Sequence, residues 1–294
     1  MNIGVNLRLT CSYNETEFLS LHVWTRFFKV MLLLTIQNFD GPALASAQEK
    51  WESSFYLVAG RTTLANNDRL ASPLRYTGSG AYPGLIISLK HRGYQGALTL
   101  TYQNVHLRSA ISDQPVEGNH RAETTSLQGT LTFMKKRASD TGRWLTYYGL
   151  WGEGAFLFRE YFYENYLPSE TVAEFVTGLG PSFKFAWAHP QYELNIQVQT
   201  YLVGWIFRNP YSLTTDALSS TATKKSFLAG YLDLAKFTTI SDLQRIQFNA
   251  TYSRNLKSKL RFLVSIGTTY SHFTGPWDST TWERHGNIGI GISF

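Results

Sequence analysis

Nine charged residues stand where their chemistry could matter: Glu52, Lys90, Arg143, Glu153, Arg159, Lys184, Glu193, Arg245 and Arg261. Each lies on the polar side of a stretch in which polar and apolar residues alternate. Charges stacked on one face of such stretches can line a path and bias the ions that pass, and six cations against three anions would favour anions. They can instead pair with one another and fill a narrow interior, because charges taken out of water need partners. Arg143, Glu153, Lys184, Glu193, Arg245 and Arg261 are the central candidates. Lys90 and Arg159 fall nearer the ends of their segments.

Catalytic spacing is missing. Ser271 and His272 are adjacent in the wrong order for a nucleophile and its base. There is no His-Glu-x-x-His, no Gly-x-Ser-x-Gly and no phosphate loop. A single cysteine, Cys11, leaves no disulfide framework and no thiolate metal site. No enzyme activity, cofactor or metal is therefore expected. The formal charge of +6 comes without a basic stripe. The one dense run, Lys135, Lys136 and Arg137, sits at an expected turn, so nucleic acid is not an expected partner.

The elements that must hold the nine charges are strands of period two. Tyr192, Leu194, Ile196 and Val198 alternate with Glu193, Asn195, Gln197 and Gln199. Ile246, Phe248, Ala250 and Tyr252 alternate with Arg245, Gln247, Asn249 and Thr251. Phe262, Val264, Ile266 and Tyr270 alternate with Arg261, Ser265, Gly267 and Thr269. Strands are expected at 50–60, 84–92, 96–108, 124–136, 143–159, 175–187, 191–207, 240–254, 259–271 and 285–294. Short connections at 93–95, 137–142, 188–190 and 255–258 take turns with long ones at 61–83, 109–123, 160–174, 208–239 and 272–284. The segment 226–237 is ambiguous. As a helix it would gather Phe227, Leu228, Tyr231, Leu232 and Ala235 on one face, opposite Asp233 and Lys236. As a spanning strand it would call for a further strand within 61–83 and a total of twelve.

At the C-terminus Ile288, Ile290, Ile292 and Phe294 share one face, and Asn287, Gly289, Gly291 and Ser293 the other. Near the N-terminus, residues 24–47 combine Arg26 and Lys29, the apolar run 30–36 and the small residues Ala45, Ser46 and Ala47. That is the pattern of an export signal. The stretch 1–23 is long for such a signal and fits a start codon assigned too far upstream. Together the closing strand and the signal resemble bacterial outer-membrane β-barrel proteins of porin-like type. A soluble sandwich could show the same alternation with its faces reversed.

The resemblance implies an all-β fold, a transmembrane antiparallel up-and-down β-barrel of ten strands, with twelve as the alternative. It places the apolar face against lipid and the polar face inside, short turns in the periplasm and long loops outside. An aromatic share of 15% suits interfacial girdles, with Trp51, Trp144, Trp187, Tyr192, Tyr252 and Phe294 near the inner boundary. No apolar run reaches the roughly 18 residues of a spanning helix. The domains expected are a removed extension, 1–47, and a barrel, 48–294. Partners would be outer-membrane lipid and lipopolysaccharide, and the barrel assembly machinery reading Ile288, Ile290, Ile292 and Phe294. A homo-oligomer is compatible with this class.

The resemblance also names chemistries to look for. The His-x-Ser pair of barrel lipid hydrolases is absent, as are the Asp-x-Asp and Asp-x-His pairs of omptin-like proteases. The leading expectation is a small porin-like channel for small solutes. The alternatives are a non-conducting adhesin, anchor or envelope-complex subunit, and a lipid-acting enzyme whose site has no familiar motif. Export makes a direct prediction. N-terminal sequencing of the protein recovered from outer membranes should read from Gln48; a chain beginning at Met1 would remove the signal.

Overall fold

A computed structural model of the chain describes residues 52–68, 75–110, 121–137, 142–162, 170–208, 236–257, 259–274 and 278–294. The export signal, Gln48, Trp51, Cys11 and residues 226–235 lie outside them. Thirteen strand segments occur: β1 (Glu52–Asp68), β2 (Arg75–Ala81), β3 (Gly84–His91), β4 (Tyr94–Ala110), β5 (Arg121–Lys136), β6 (Trp144–Phe162), β7 (Glu170–His189), β8 (Tyr192–Thr200), β9 (Val203–Arg208), β10 (Lys236–Thr239), β11 (Leu243–Asn255), β12 (Leu260–Phe273) and β13 (Ser279–Ser293).

All pairings are antiparallel, and they close. β2 and β3 both lie between β1 and β4. β8 and β9 both pair with β7, while β10 and β11 pair with β9 and β8 respectively. These couples act as single interrupted strands, so the sheet has ten staves. The tenth, β13, pairs with the first, β1, from Ser54 against Ser293 to Asp68 against Ser279. Closure pairs the first stave with the last, the condition for a sheet to cross a bilayer. Lys236, from the ambiguous segment, begins β10 and extends the eighth stave. The expected strand within 61–83 exists too, but only as longer first and second staves. The ring is of ten strands, not twelve.

Each interruption has a local cause. Pro83 lacks an N–H, so the ladder breaks between β2 and β3. Tyr82 N donates to the Gly60 carbonyl and Tyr102 N to the Pro83 carbonyl, both at 3.0 Å, which carries the ladder across the gap. Between β8 and β9 lies a bulge. Three residues, 200–202, oppose two on β7, one of them Pro181. A bulge tolerates a proline opposite it and shifts the facing parity by one residue. Gln199 and Tyr201 point inward before it, Gly204 and Ile206 after it. At the tightest turn, Arg92 and Gly93 both have positive φ, 46° and 83°, which suits a two-residue hairpin.

The outer wall is apolar through the lower and middle staves. Leu57, Leu150, Phe185, Ile196, Ile266, Ile288, Ile290 and Phe294 are exposed there. Trp144 and Trp187 stack at 5.8 Å and Trp187 meets Tyr192 at 5.9 Å, forming part of a girdle at the short-turn end. No helix of the described residues is long and apolar enough to cross a membrane. A closed ring with an exposed apolar wall is a multi-pass outer-membrane β-barrel.

Toward the long-connection end the pattern inverts. Leu64, Tyr76, Val105, Leu107, Ala122, Tyr161 and Val172 form an apolar cluster inside the ring. Arg61, Thr63, Arg75, Arg108 and Arg284 face outward. This explains why the expected loops 61–83, 109–123, 160–174 and 272–284 shrink. The strands continue past the apolar band with their faces exchanged, so a search for outward apolar rows stops too early. Sidedness has a test. Ile196 lies at the middle of the outward row of β8, where arginine costs about 2–4 kcal/mol. Ile196→Arg should lose that much stability in urea unfolding from lipid vesicles, while Ile196→Val stays within about 1 kcal/mol. Equal stabilities would place Ile196 away from lipid.

Candidate functional site

The inward half of the ring holds the charged residues, and they meet across the bore. Near the short-turn end, Lys90 on the second stave donates from Nζ to Glu193 Oε2 on the seventh, at 2.6 Å. In a ring of ten these staves are diametrically opposed. Lys184 Nζ lies 3.4 Å from the other Glu193 oxygen and donates to Gln95 Oε1 at 2.8 Å. The sixth and third staves thus join the same knot. Beside it Arg261 Nη2 donates to Glu52, linking the ninth stave to the first.

The bulge builds the middle level. Tyr201, within it, continues the inward row of β8 into the bore, where its ring stacks on Trp151 at 5.2 Å. Trp151 Nε1 donates to the Thr200 carbonyl at 3.1 Å, satisfying an acceptor at the bulge. Glycine at 178 is required, because a Cβ there would sit 2.5 Å from the Tyr201 ring. Arg245 donates to both oxygens of Glu153, at 2.5 and 3.1 Å, and Gln128 Nε2 donates to Glu153 at 2.8 Å. This fork joins the fifth and eighth staves. The Glu153 side chain is fully buried and that of Arg245 is 14% exposed. Across the same section Tyr82 stacks on His285 at 4.8 Å, and His285 Nε2 lies 3.2 Å from Asn249 Oδ1.

Higher up, Asn66 Nδ2 donates to the Tyr161 hydroxyl at 3.4 Å, from the first stave across to the fifth. Arg159 donates to Thr124 at 3.1 Å and to the Tyr161 hydroxyl at 3.3 Å. Glu174 lies on the inner face within electrostatic reach of Arg159.

Of the six central candidates, Glu153 and Arg245 form one pair, and Lys184 and Glu193 belong to another knot. Arg261 meets Glu52. Arg143 does not join them. It occupies the turn before β6, is exposed, and contributes its backbone carbonyl to Ala188 N at 2.8 Å. The alternation was carried one residue past the strand. Glu174 and Glu283 were missed because both lie in stretches assigned to loops. With them, Lys90, Arg159, Lys184, Arg245 and Arg261 face Glu52, Glu153, Glu174, Glu193 and Glu283. With Lys136 on the inward row of β5, the described residues hold one more cation than anions inside, so the expected surplus shrinks to a near balance. Gln95, Gln128, Tyr82, Asn66 and His285 were missed because an uncharged or isolated polar residue announces no partner. Gln95 could have been found from the alternation of β4.

Ile288, Ile290, Ile292 and Phe294 all lie exposed on the outer wall. No group of three His, Cys, Asp or Glu side chains among the described residues is placed to hold a metal.

No family model matches the chain, and no curated protein matches it. Solved structures do. The outer membrane protease OmpT from Escherichia coli is similar with a TM-score of 0.48 at 7% identity, over 86% of this chain and 99% of that one. The transport unit of the autotransporter AIDA-I from Escherichia coli gives 0.42 at 10%, over 88% and 97%. The translocator domain of the autotransporter NalP from Neisseria meningitidis gives 0.39 at 9%, over 94% and 98%.

The fork between Arg245 and Glu153 predicts a large single-residue effect. Glu153→Gln leaves a buried guanidinium without its counter-charge and should cost about 3–5 kcal/mol in urea unfolding. Glu153→Leu combined with Arg245→Leu should recover much of that loss. A near-neutral Glu153→Gln would mean that water reaches the fork.

Proposed function

We propose that the chain is a non-conducting outer-membrane barrel, an anchor whose working surface lies outside its bore. The carrying observation is the diametral bridging. Lys90 with Glu193 joins opposed staves within hydrogen-bond distance, and Asn66 with Tyr161 crosses the bore from the first stave to the fifth. Between those levels the paired rings of Trp151 and Tyr201 and the fork of Arg245 occupy the interior. A porin needs a continuous column of water, whereas narrow barrels fill with side chains. The near balance of inward charge supports the same reading, since a permeation path tuned for one ion sign would keep a surplus.

Adhesin, structural anchor and envelope-complex subunit all belong to this reading. The export signal at 24–47 would deliver the chain. The row Ile288, Ile290, Ile292 and Phe294 would be read by the assembly machinery. No residue is assigned a catalytic role.

The test is planar-bilayer recording of protein whose folding is verified by heat-modifiable gel migration. Folded protein should give no conductance steps at either polarity. Steady steps would overturn the proposal in favour of the porin-like channel, and their reversal potential in a salt gradient would report the sign of the ion preferred.

A further inference from the structure

The outer wall carries an arginine belt that the interior network does not explain. Arg284 on β13, Arg61 on β1, Arg75 on β2, Arg108 on β4 and Arg121 on β5 lie on five neighbouring staves, all outward and exposed. Arg108 and Arg121 are direct cross-strand partners. Like charges so opposed destabilise a sheet unless an anion separates them. Arg61 donates to Ser79 Oγ at 2.6 Å, Arg121 lies over the Phe162 ring at 4.9 Å and Arg284 over the Trp282 ring at 5.9 Å. None of the five forms an ion pair with a carboxylate of the described residues. The nearby Glu123 pairs instead with His106, at 3.4 Å.

Two of these arginines line one cleft. Thr63, Ala65, Arg75, Trp282 and Arg284 enclose about 430 Å³ on the outside of β13, β1 and β2. Its height on the wall is informative. Arg284 pairs with Thr63 and Thr268, and Arg61 with Gly286. Directly below run the apolar rows Ile288, Ile290 and Ile292, and Phe55 and Leu57. The cleft therefore begins where the lipid-facing wall ends, with Trp282 as an interfacial ring beside it.

We infer that this cleft binds the phosphate of a phosphorylated glycolipid of the outer leaflet, with Arg75 and Arg284 as its two cationic arms. Guanidinium groups grip phosphate oxygens in a planar, bidentate way. The acyl chains of the same molecule would lie on Leu57, Ile288 and Ile290. A soluble anion would gain only the guanidinium contacts, whereas a lipid gains these and the apolar wall. The assignment does not depend on whether the bore conducts.

The test uses refolded full barrel in an uncharged detergent and native mass spectrometry. The probes are a bisphosphorylated lipid A and its dephosphorylated form. Wild type should retain the phosphorylated form preferentially. Arg75→Gln and Arg284→Gln should each weaken that retention about fivefold, the effect of one cation near an anionic surface. Arg254→Gln, an exposed outward arginine at the short-turn end, should leave it unchanged. Folding of every variant is checked by heat-modifiable migration; because each is a single exposed substitution, loss of fold in one leaves the other as the arm. Equal retention by both variants and wild type would overturn the assignment. So would equal retention of both probes, or displacement of the lipid by inorganic phosphate at low concentration.

Discussion

A charge on the inward half of a membrane strand faces a narrow ring rather than bulk solvent, and a partner of opposite sign across or beside it offsets the cost of its partial burial. That constraint organises the interior. Lys90, Lys184 and Glu193 come from three staves and meet in one knot with Gln95. Glu153 receives both arms of Arg245 and the amide of Gln128. Each carboxylate accepts more than one donor where it is most buried, as a low-dielectric interior demands. The bonds tie opposite walls together, so the charged residues define the shape of the barrel as much as its content.

Backbone irregularities serve the same end. The bulge opposite Pro181 lets Tyr201 and Gly204 both face inward, and the missing side chain at Gly178 gives the Tyr201 ring its place against Trp151. On β13 the inward glycines answer large neighbours: a Cβ at Gly291 would lie 2.3 Å from the Tyr56 ring. Small residues on one stave thus make room for aromatic residues on the next.

The wall changes character along its height. Through the bilayer it is apolar outside and polar within. Past the band the core moves inside, around Leu64, Tyr76 and Tyr161, and the arginines move outside. The upper part is held by an apolar core as a water-soluble barrel is, and the lower part by paired charges together with smaller apolar clusters around Tyr56 and Met134. The boundary between the two regimes is where the arginine cleft opens, so one exchange of faces sets both the top of the apolar band and the position of the cleft.

Period-two alternation is a local property, and it was enough to reveal ten strands, the short turns and the outward rows ending at Phe294. Glu153, Lys184, Glu193, Arg245 and Arg261 could be recognised as a set because each lies in such a row. What alternation cannot supply is distance across a ring. Lys90 and Glu193 are 103 residues apart and on opposed staves, and only closure of the sheet brings them together. The extra residue at the bulge, the exchange of faces above the band and the exposed turn position of Arg143 also escaped, because each breaks the period on which the reading relied. The pairing of the inward charges was therefore decided by the tertiary structure: whether two charges repel or neutralise each other depends on which walls they stand on, and the chain order does not contain that.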